Sequence, residues 1–170
     1  MRRCLAAAVL VGAVFVGLPA DGEGSNGKEI EVGRATAVTP AQLRSQARAV
    51  GHPIYWAGER RGYVYEFTRT PSRNTYVRYL PRGVKIGTKA LYLTVATYAG
   101  PGAYAALIKS GRSGTRIELA HGGIAVVDRS SPTSIHIAYR GSDLQIEVFD
   151  PSAKQGRELV ASGAIRPAGA

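Results

Sequence analysis

Sulfur is nearly absent from this chain: one cysteine and one methionine occur among 170 residues, alongside a single tryptophan. Cys4, the only thiol, lies in the first twenty residues, so the body that follows holds no disulfide, cysteine nucleophile or zinc-thiolate site. Histidine is equally scarce. His52, His121 and His136 form no pair at metal-ligand spacing, and no carboxylate-rich loop of the calcium-binding kind occurs, so neither a metal nor a cofactor is expected. GxSxG, SxxK, Walker and GxGxxG patterns are missing too. Gly100-Pro101-Gly102 precedes a helix but lacks a phosphate-binding lysine, and it reads as a helix-start turn.

What remains is a composition that folds, with 45% apolar and 20% charged residues. A body of this size buries roughly 68–70% of its unfolded surface and needs no covalent staple. Arg2 and Arg3 precede the uncharged run Cys4–Leu18, followed by Pro19-Ala20 and the acidic, glycine-rich Asp21-Gly22-Glu23-Gly24. Residues 1–20 thus read as a signal peptide or N-terminal anchor, the arginines staying on the cytoplasmic side. The run is shorter than the roughly 17–25 residues that span a bilayer, which favours cleavage. On either reading the body is extracytoplasmic, secreted or anchored by the apolar segment.

Residues 21–38, rich in Gly and charge, read as a flexible spacer. Thr39 and Pro40 then open a helix that runs to Val50 and stops at Gly51. Strands are expected at Ile54–Trp56, Tyr63–Arg69, Thr75–Leu80 and Leu91–Tyr98, and a helix at Gly102–Lys109. Further strands follow at Arg116–Ala120, Ile124–Asp128, Ser134–Tyr139 and Leu144–Phe149, with a last helix over Ala153–Ser162. The order predicts an α+β fold of antiparallel sheets with flanking helices, as two tandem ββββα units over residues 39–111 and 112–170. Tyr98-Ala99-Gly100-Pro101 and Val148-Phe149-Asp150-Pro151 end the strands of the two units alike.

Two hairpins can be registered from the sequence. Gly141-Ser142 as a type II′ turn pairs Ile137 with Ile146 and Ile135 with Val148 toward the core, leaving His136 beside Glu147 and Ala138 beside Gln145 on the opposite, solvated face. A five-residue turn, Thr70–Asn74, pairs Phe67 with Val77, Tyr65 with Tyr79 and Glu66 with Arg78. His136 and Glu147 are the best acid–base candidates, because a carboxylate beside an imidazole orients it for proton transfer. On an exposed sheet face such a pair contributes only about 0–1 kcal/mol, so the non-catalytic reading is preferred. His52, before a proline, and His121, before Gly122-Gly123, read as turn residues.

The charge is concentrated. Residues 60–116 hold eleven basic side chains against Glu66 alone, whereas the segments on either side are nearly neutral. A field of one sign gathers anions. Trp56, Arg60, Arg61, Arg73, Arg78 and Arg82 are therefore the candidate ligand-binding residues, aromatic faces adding stacking to the guanidinium contacts. Outside the cytoplasm the fitting partners are an anionic envelope polymer, anionic lipid head groups or a membrane protein, and nucleic acid is disfavoured.

The strings Pro53-Ile54-Tyr55-Trp56-Ala57-Gly58, Tyr76-Val77-Arg78-Tyr79-Leu80-Pro81 and Gly141-Ser142-Asp143-Leu144-Gln145-Ile146-Glu147-Val148 resemble those of uncharacterised exported proteins of high-GC actinobacteria, over about residues 39 to 166. That resemblance implies export and a shared fold and carries no known activity. The expectation is a non-catalytic binding or accessory domain at the cell envelope with an electropositive surface for an anionic ligand or partner. The alternatives are an envelope-acting hydrolase or transferase, and a structural domain docking on a membrane protein.

Overall fold

The computed structural model describes residues 30–111 and 114–169, so the apolar N-terminal run and residues 21–29 of the expected spacer lie outside the described residues. Its strands are β1 (Thr36–Val38), β2 (Tyr55–Trp56), β3 (Tyr63–Arg69), β4 (Thr75–Pro81), β5 (Thr94–Ala99), β6 (Thr115–Leu119), β7 (Gly123–Val127), β8 (Ser134–Tyr139), β9 (Leu144–Phe149) and β10 (Arg166–Pro167). Among the described residues three α-helices join them: α1 (Pro40–Val50), α2 (Ala103–Ser110) and α3 (Ala153–Ala161). The fold is α+β, built on one eight-stranded antiparallel sheet of order β1-β3-β4-β5-β9-β8-β7-β6. Among the described residues no helix is long and apolar enough to cross a membrane.

The capping chemistry of α1 is as expected. The Gln42 N–H donates to Thr39 Oγ1 at 3.2 Å and the Thr39 N–H to Gln42 Oε1 at 2.8 Å, closing a reciprocal box ahead of Pro40. Leu43, Ala47 and Val50, spaced by helical turns, face the sheet and join its core. Alternation does the same for the strands. Tyr65, Phe67, Val77, Tyr79, Val95, Ile135, Ile137, Ile146 and Val148 project to one face, where α1, α3 and the small β2–β10 ribbon cover them.

Both hairpins keep their expected side-chain pairs, Tyr65 opposite Tyr79 and Phe67 opposite Val77 in one, Ile135 opposite Val148 and Ile137 opposite Ile146 in the other. The second turn differs in detail. Its closing bond runs from the Ser142 N–H to the Tyr139 carbonyl, so Gly141, at φ +76°, occupies the third turn position. The turn therefore centres on Arg140-Gly141, one residue before the expected Gly-Ser turn.

Two larger expectations need correction. Thr36–Val38, placed in the flexible spacer, is an edge strand on β3, with Val38 opposite Tyr65, and Ile30 is buried beside the same core. Three residues are enough there because an edge strand needs only one partner. The two units also share strand order without being equivalent. Tyr55–Trp56 leaves the main sheet to pair with β10, and β1 takes the edge place beside β3. Helix α3 packs on the core face through Val160, whereas α2 packs Ala103 and Leu107 against Ile124, Val126 and Ala138 on the other face. Antiparallel pairing of β5 with β9 relates the halves by an axis normal to the sheet, which would keep equivalent helices on one face, so the repeat is limited to the strands.

One close approach tests the packing. A Cβ on Gly123 would lie 2.5 Å from the ring of Tyr139, which stacks on Tyr55 with centroids 5.8 Å apart. Gly123→Ala is expected to push that ring off its stack and lower stability by about 1–3 kcal/mol. Urea unfolding of the variant measures this, and an unchanged midpoint would contradict the packing described.

Candidate functional site

The six candidate ligand residues do not form one cluster. Arg60 and Arg61 lie on the loop before β3, and Arg82 just after β4 is held beside them by its N–H donating to the Gly62 carbonyl at 2.9 Å. Arg73 sits in the turn at the far end of the same hairpin, about 20 Å away by the rise of a seven-residue strand. Arg78 points to the face away from the main core and is bound there. Its Nη1 meets Glu66 Oε1 at 2.6 Å and its Nη2 donates to the Ala90 carbonyl at 2.7 Å.

Glu66 is 2% exposed, and its second oxygen accepts from the Gly87 N–H at 2.6 Å. This buried carboxylate organises the segment between β4 and β5, which its charge draws across one side of the sheet. Arg78 is thus a structural partner of Glu66 rather than a free contact for ligand. Replacing Glu66 by Ala leaves a largely buried guanidinium without its counter-charge, and a loss of about 3–5 kcal/mol is expected.

The basic loop before β3 is fixed by two core tyrosines. The Ala57 N–H donates to the Tyr79 hydroxyl at 2.6 Å, which donates in turn to the Gly58 carbonyl at 3.1 Å. The Arg60 N–H donates to the Tyr65 hydroxyl at 2.8 Å, and the Arg60 guanidinium lies 5.6 Å above the Tyr79 ring. Burial raises the Tyr79 pKa well above its ordinary 10.0. Both rings are buried in the core, and their hydroxyls reach out of it to position Arg60.

Trp56, itself buried, lines a groove of about 400 Å³ with Arg44, Glu59, Arg166 and Gly169. Arg166 is the cross-strand partner of Trp56, and Arg44 comes from the exposed side of α1. Neither arginine has an ion-pair partner among the described residues. Sequence reasoning missed both, because they lie outside the basic 60–116 segment and only the β2–β10 pairing and the seating of α1 bring them to Trp56.

The second candidate pair is in register but not joined. His136 is opposite Glu147, as expected. Glu147 Oε2 accepts from the Tyr98 hydroxyl at 2.9 Å, however, and His136 Nδ1 is 3.1 Å from the Gln145 amide nitrogen. Tyr98 comes from β5, a strand the sequence did not pair with β9. Desolvation and the Glu147 charge both push the Tyr98 pKa far upward, so the phenol keeps its proton and stays a donor. Without a hydrogen bond between His136 and Glu147, the acid–base arrangement lacks its orienting contact.

The remaining histidines lie at turns. His52 has one ring nitrogen 2.8 Å from the Pro53 carbonyl and the other 2.9 Å from the Arg73 carbonyl, tying the Thr70–Asn74 turn to the start of β2. His121 is exposed with φ +57° in the 3-10 turn Ala120–Gly122.

No family model, curated protein or solved structure matches the chain. The geometry alone carries the functional reading.

The Tyr79 anchor has a pH signature. Its folded pKa is raised, so its contribution is complete below the unfolded value of 10.0 and declines as pH rises above it, because the unfolded chain then loses a proton that the folded one keeps. The slope from this one group approaches about 1.4 kcal/mol per pH unit. Tyr79→Phe should be destabilised at neutral pH by loss of the loop bonds yet show a shallower alkaline decline. Urea unfolding over an alkaline pH series reads both effects, and parallel curves for the two proteins would refute the anchor.

Proposed function

We propose that this chain is an exported, non-catalytic binding or accessory domain of the cell envelope that takes an anionic ligand at the groove between Arg44 and Arg166. The observation that supports it is the convergence of those two guanidiniums, unpaired among the described residues, beside Trp56 in a groove of about 400 Å³. Arginine suits this role because its planar fork meets carboxylate or phosphate oxygens in pairs. Arg60, held by Tyr65 and Tyr79, Arg82, held by Gly62, and Arg61 in the same loop add a long-range field that speeds encounter. Export is supported by the N-terminal pattern Arg2-Arg3 followed by Cys4–Leu18.

Glu59 on the groove rim repels a second negative charge close to the chain and so favours a ligand whose anionic groups are spaced along a polymer or spread over a head-group surface. Arg73 and Arg78 have no part in this site.

The probe is inorganic polyphosphate, titrated into the full chain at low and at moderate salt. Binding should weaken steeply with salt, fall by about tenfold or more in the Arg44→Glu/Arg166→Glu double variant, and persist in Arg73→Glu. Absence of binding at low salt, or undiminished affinity in the double variant, would overturn the proposal.

A further inference from the structure

Among the described residues the face of the sheet away from the main core is covered on two sides. Helix α2 lies over β7 and β8. On the other side Glu66 and Arg78 hold Gly87 and Ala90 near β3 and β4. Between these covers, with α2 reaching as far as β9, a pocket of about 200 Å³ lies among the described residues, lined by Tyr76, Thr94, Ala96, Tyr98, Glu147 and Phe149.

The register explains the pocket. Tyr76, Ala96, Glu147 and His136 stand opposite one another on β4, β5, β9 and β8, a single row across four strands. Ala96 is the small member of that row, so its methyl forms a low floor between the Tyr76 ring and the Glu147 side chain. Thr94 with Phe149 flank the floor on one side and Tyr98 on the other, and the Tyr76 and Tyr98 rings meet edge to face at 5.9 Å.

The polar groups of the pocket are unequal. The Tyr98 hydroxyl donates to Glu147 Oε2, and the Thr94 hydroxyl donates to the Tyr92 carbonyl at 3.0 Å. Glu147 Oε1 has no hydrogen-bond or ion-pair partner among the described residues. The lining therefore offers three aromatic rings, one open carboxylate oxygen and no cationic side chain, within a chain of net charge +10. Such a set is matched by a ligand that is cationic and donates hydrogen bonds at one end and is apolar along its stem. The ammonium meets the carboxylate and the ring faces, which attract cations through their quadrupoles.

We propose that this pocket is a second binding site, for a primary alkylammonium group, on the face of the sheet opposite the layer that carries the Arg44–Arg166 groove. It requires nothing of that groove. Glu147 is the anionic contact, Tyr98 holds its carboxylate in place, and Tyr76 and Phe149 contact the stem.

The test is a titration of the isotope-labelled full chain with n-butylammonium and with n-butanol, which has the same stem without the charge, followed by amide NMR shifts. The ammonium should shift residues 94–98 and 145–149 and bind about tenfold or more tightly than the alcohol. Glu147→Gln should lower ammonium affinity to that of the alcohol, Ala96→Leu should fill the floor and abolish both, and Arg44→Glu/Arg166→Glu should leave binding unchanged. Equal affinity for the two probes, shifts centred elsewhere, or full affinity in Glu147→Gln would overturn the proposal. Should Ala96→Leu fail to fold, the alcohol comparison and Glu147→Gln decide the matter alone.

Discussion

Six residue pairs between β5 and β9, from Thr94 opposite Phe149 to Ala99 opposite Leu144, join the two halves of the chain into one sheet. Each half alone would end in an edge strand, β5 in one and β9 in the other, with its hydrogen-bonding groups unpaired and open to self-association. The seam removes both edges at once. Because successive side chains alternate, it also fixes the character of both faces. Val95, Thr97, Ile146 and Val148 close the core, while Ala96, Tyr98, Gln145 and Glu147 stand on the opposite face. A slip of β9 by one residue would drive Gln145 and Glu147 into the core and turn Ile146 and Val148 out of it, so burial and the placement of the polar row are specified by the same register.

The faces have opposite electrostatic roles. On the core side, β2 and β10 form a short ribbon over the sheet, tied to it where the Tyr55 N–H donates to Thr97 Oγ1 at 3.1 Å. That ribbon carries Trp56 and Arg166, and α1 supplies Arg44. On the other side Arg78 is neutralised by the buried Glu66, which leaves Glu147 as the carboxylate of an aromatic pocket. The buried ion pair with its two loop contacts thus occupies the guanidinium that β4 places on this face.

Local order was legible in the sequence where local chemistry decides it. Thr39-Pro40 and Gly51 bound α1 because capping and chain reversal need only neighbours, and the two hairpins registered correctly because turn residues and two-residue alternation pin adjacent strands. Arg140-Gly141 became the turn centre in place of Gly141-Ser142 without changing any of the expected core pairs. The β5–β9 seam left no such trace. Its partners are about fifty residues apart, and nothing in either strand names the other. Tyr98 was therefore missed as the partner of Glu147, and the pair His136–Glu147, correct in register, was given a contact that the side chains do not make. The charge was legible as an amount per segment, but position decided its use: Arg73 and Arg78 were separated from Arg60, Arg61 and Arg82 by the length and the two faces of one hairpin, while Arg44 and Arg166 entered from elements outside the segment.

Hydrogen exchange under native conditions tests the seam most directly. If β5 and β9 are the centre of one continuous sheet, the hydrogen-bonded amides of Thr94–Ala99 and Leu144–Phe149 exchange only through global unfolding, more slowly than those of the edge strands β1 and β6. Exchange of β5 or β9 at the rate of the edge strands would show that the halves are not joined there, and both the alkylammonium pocket and the division of charge between faces would lose their foundation.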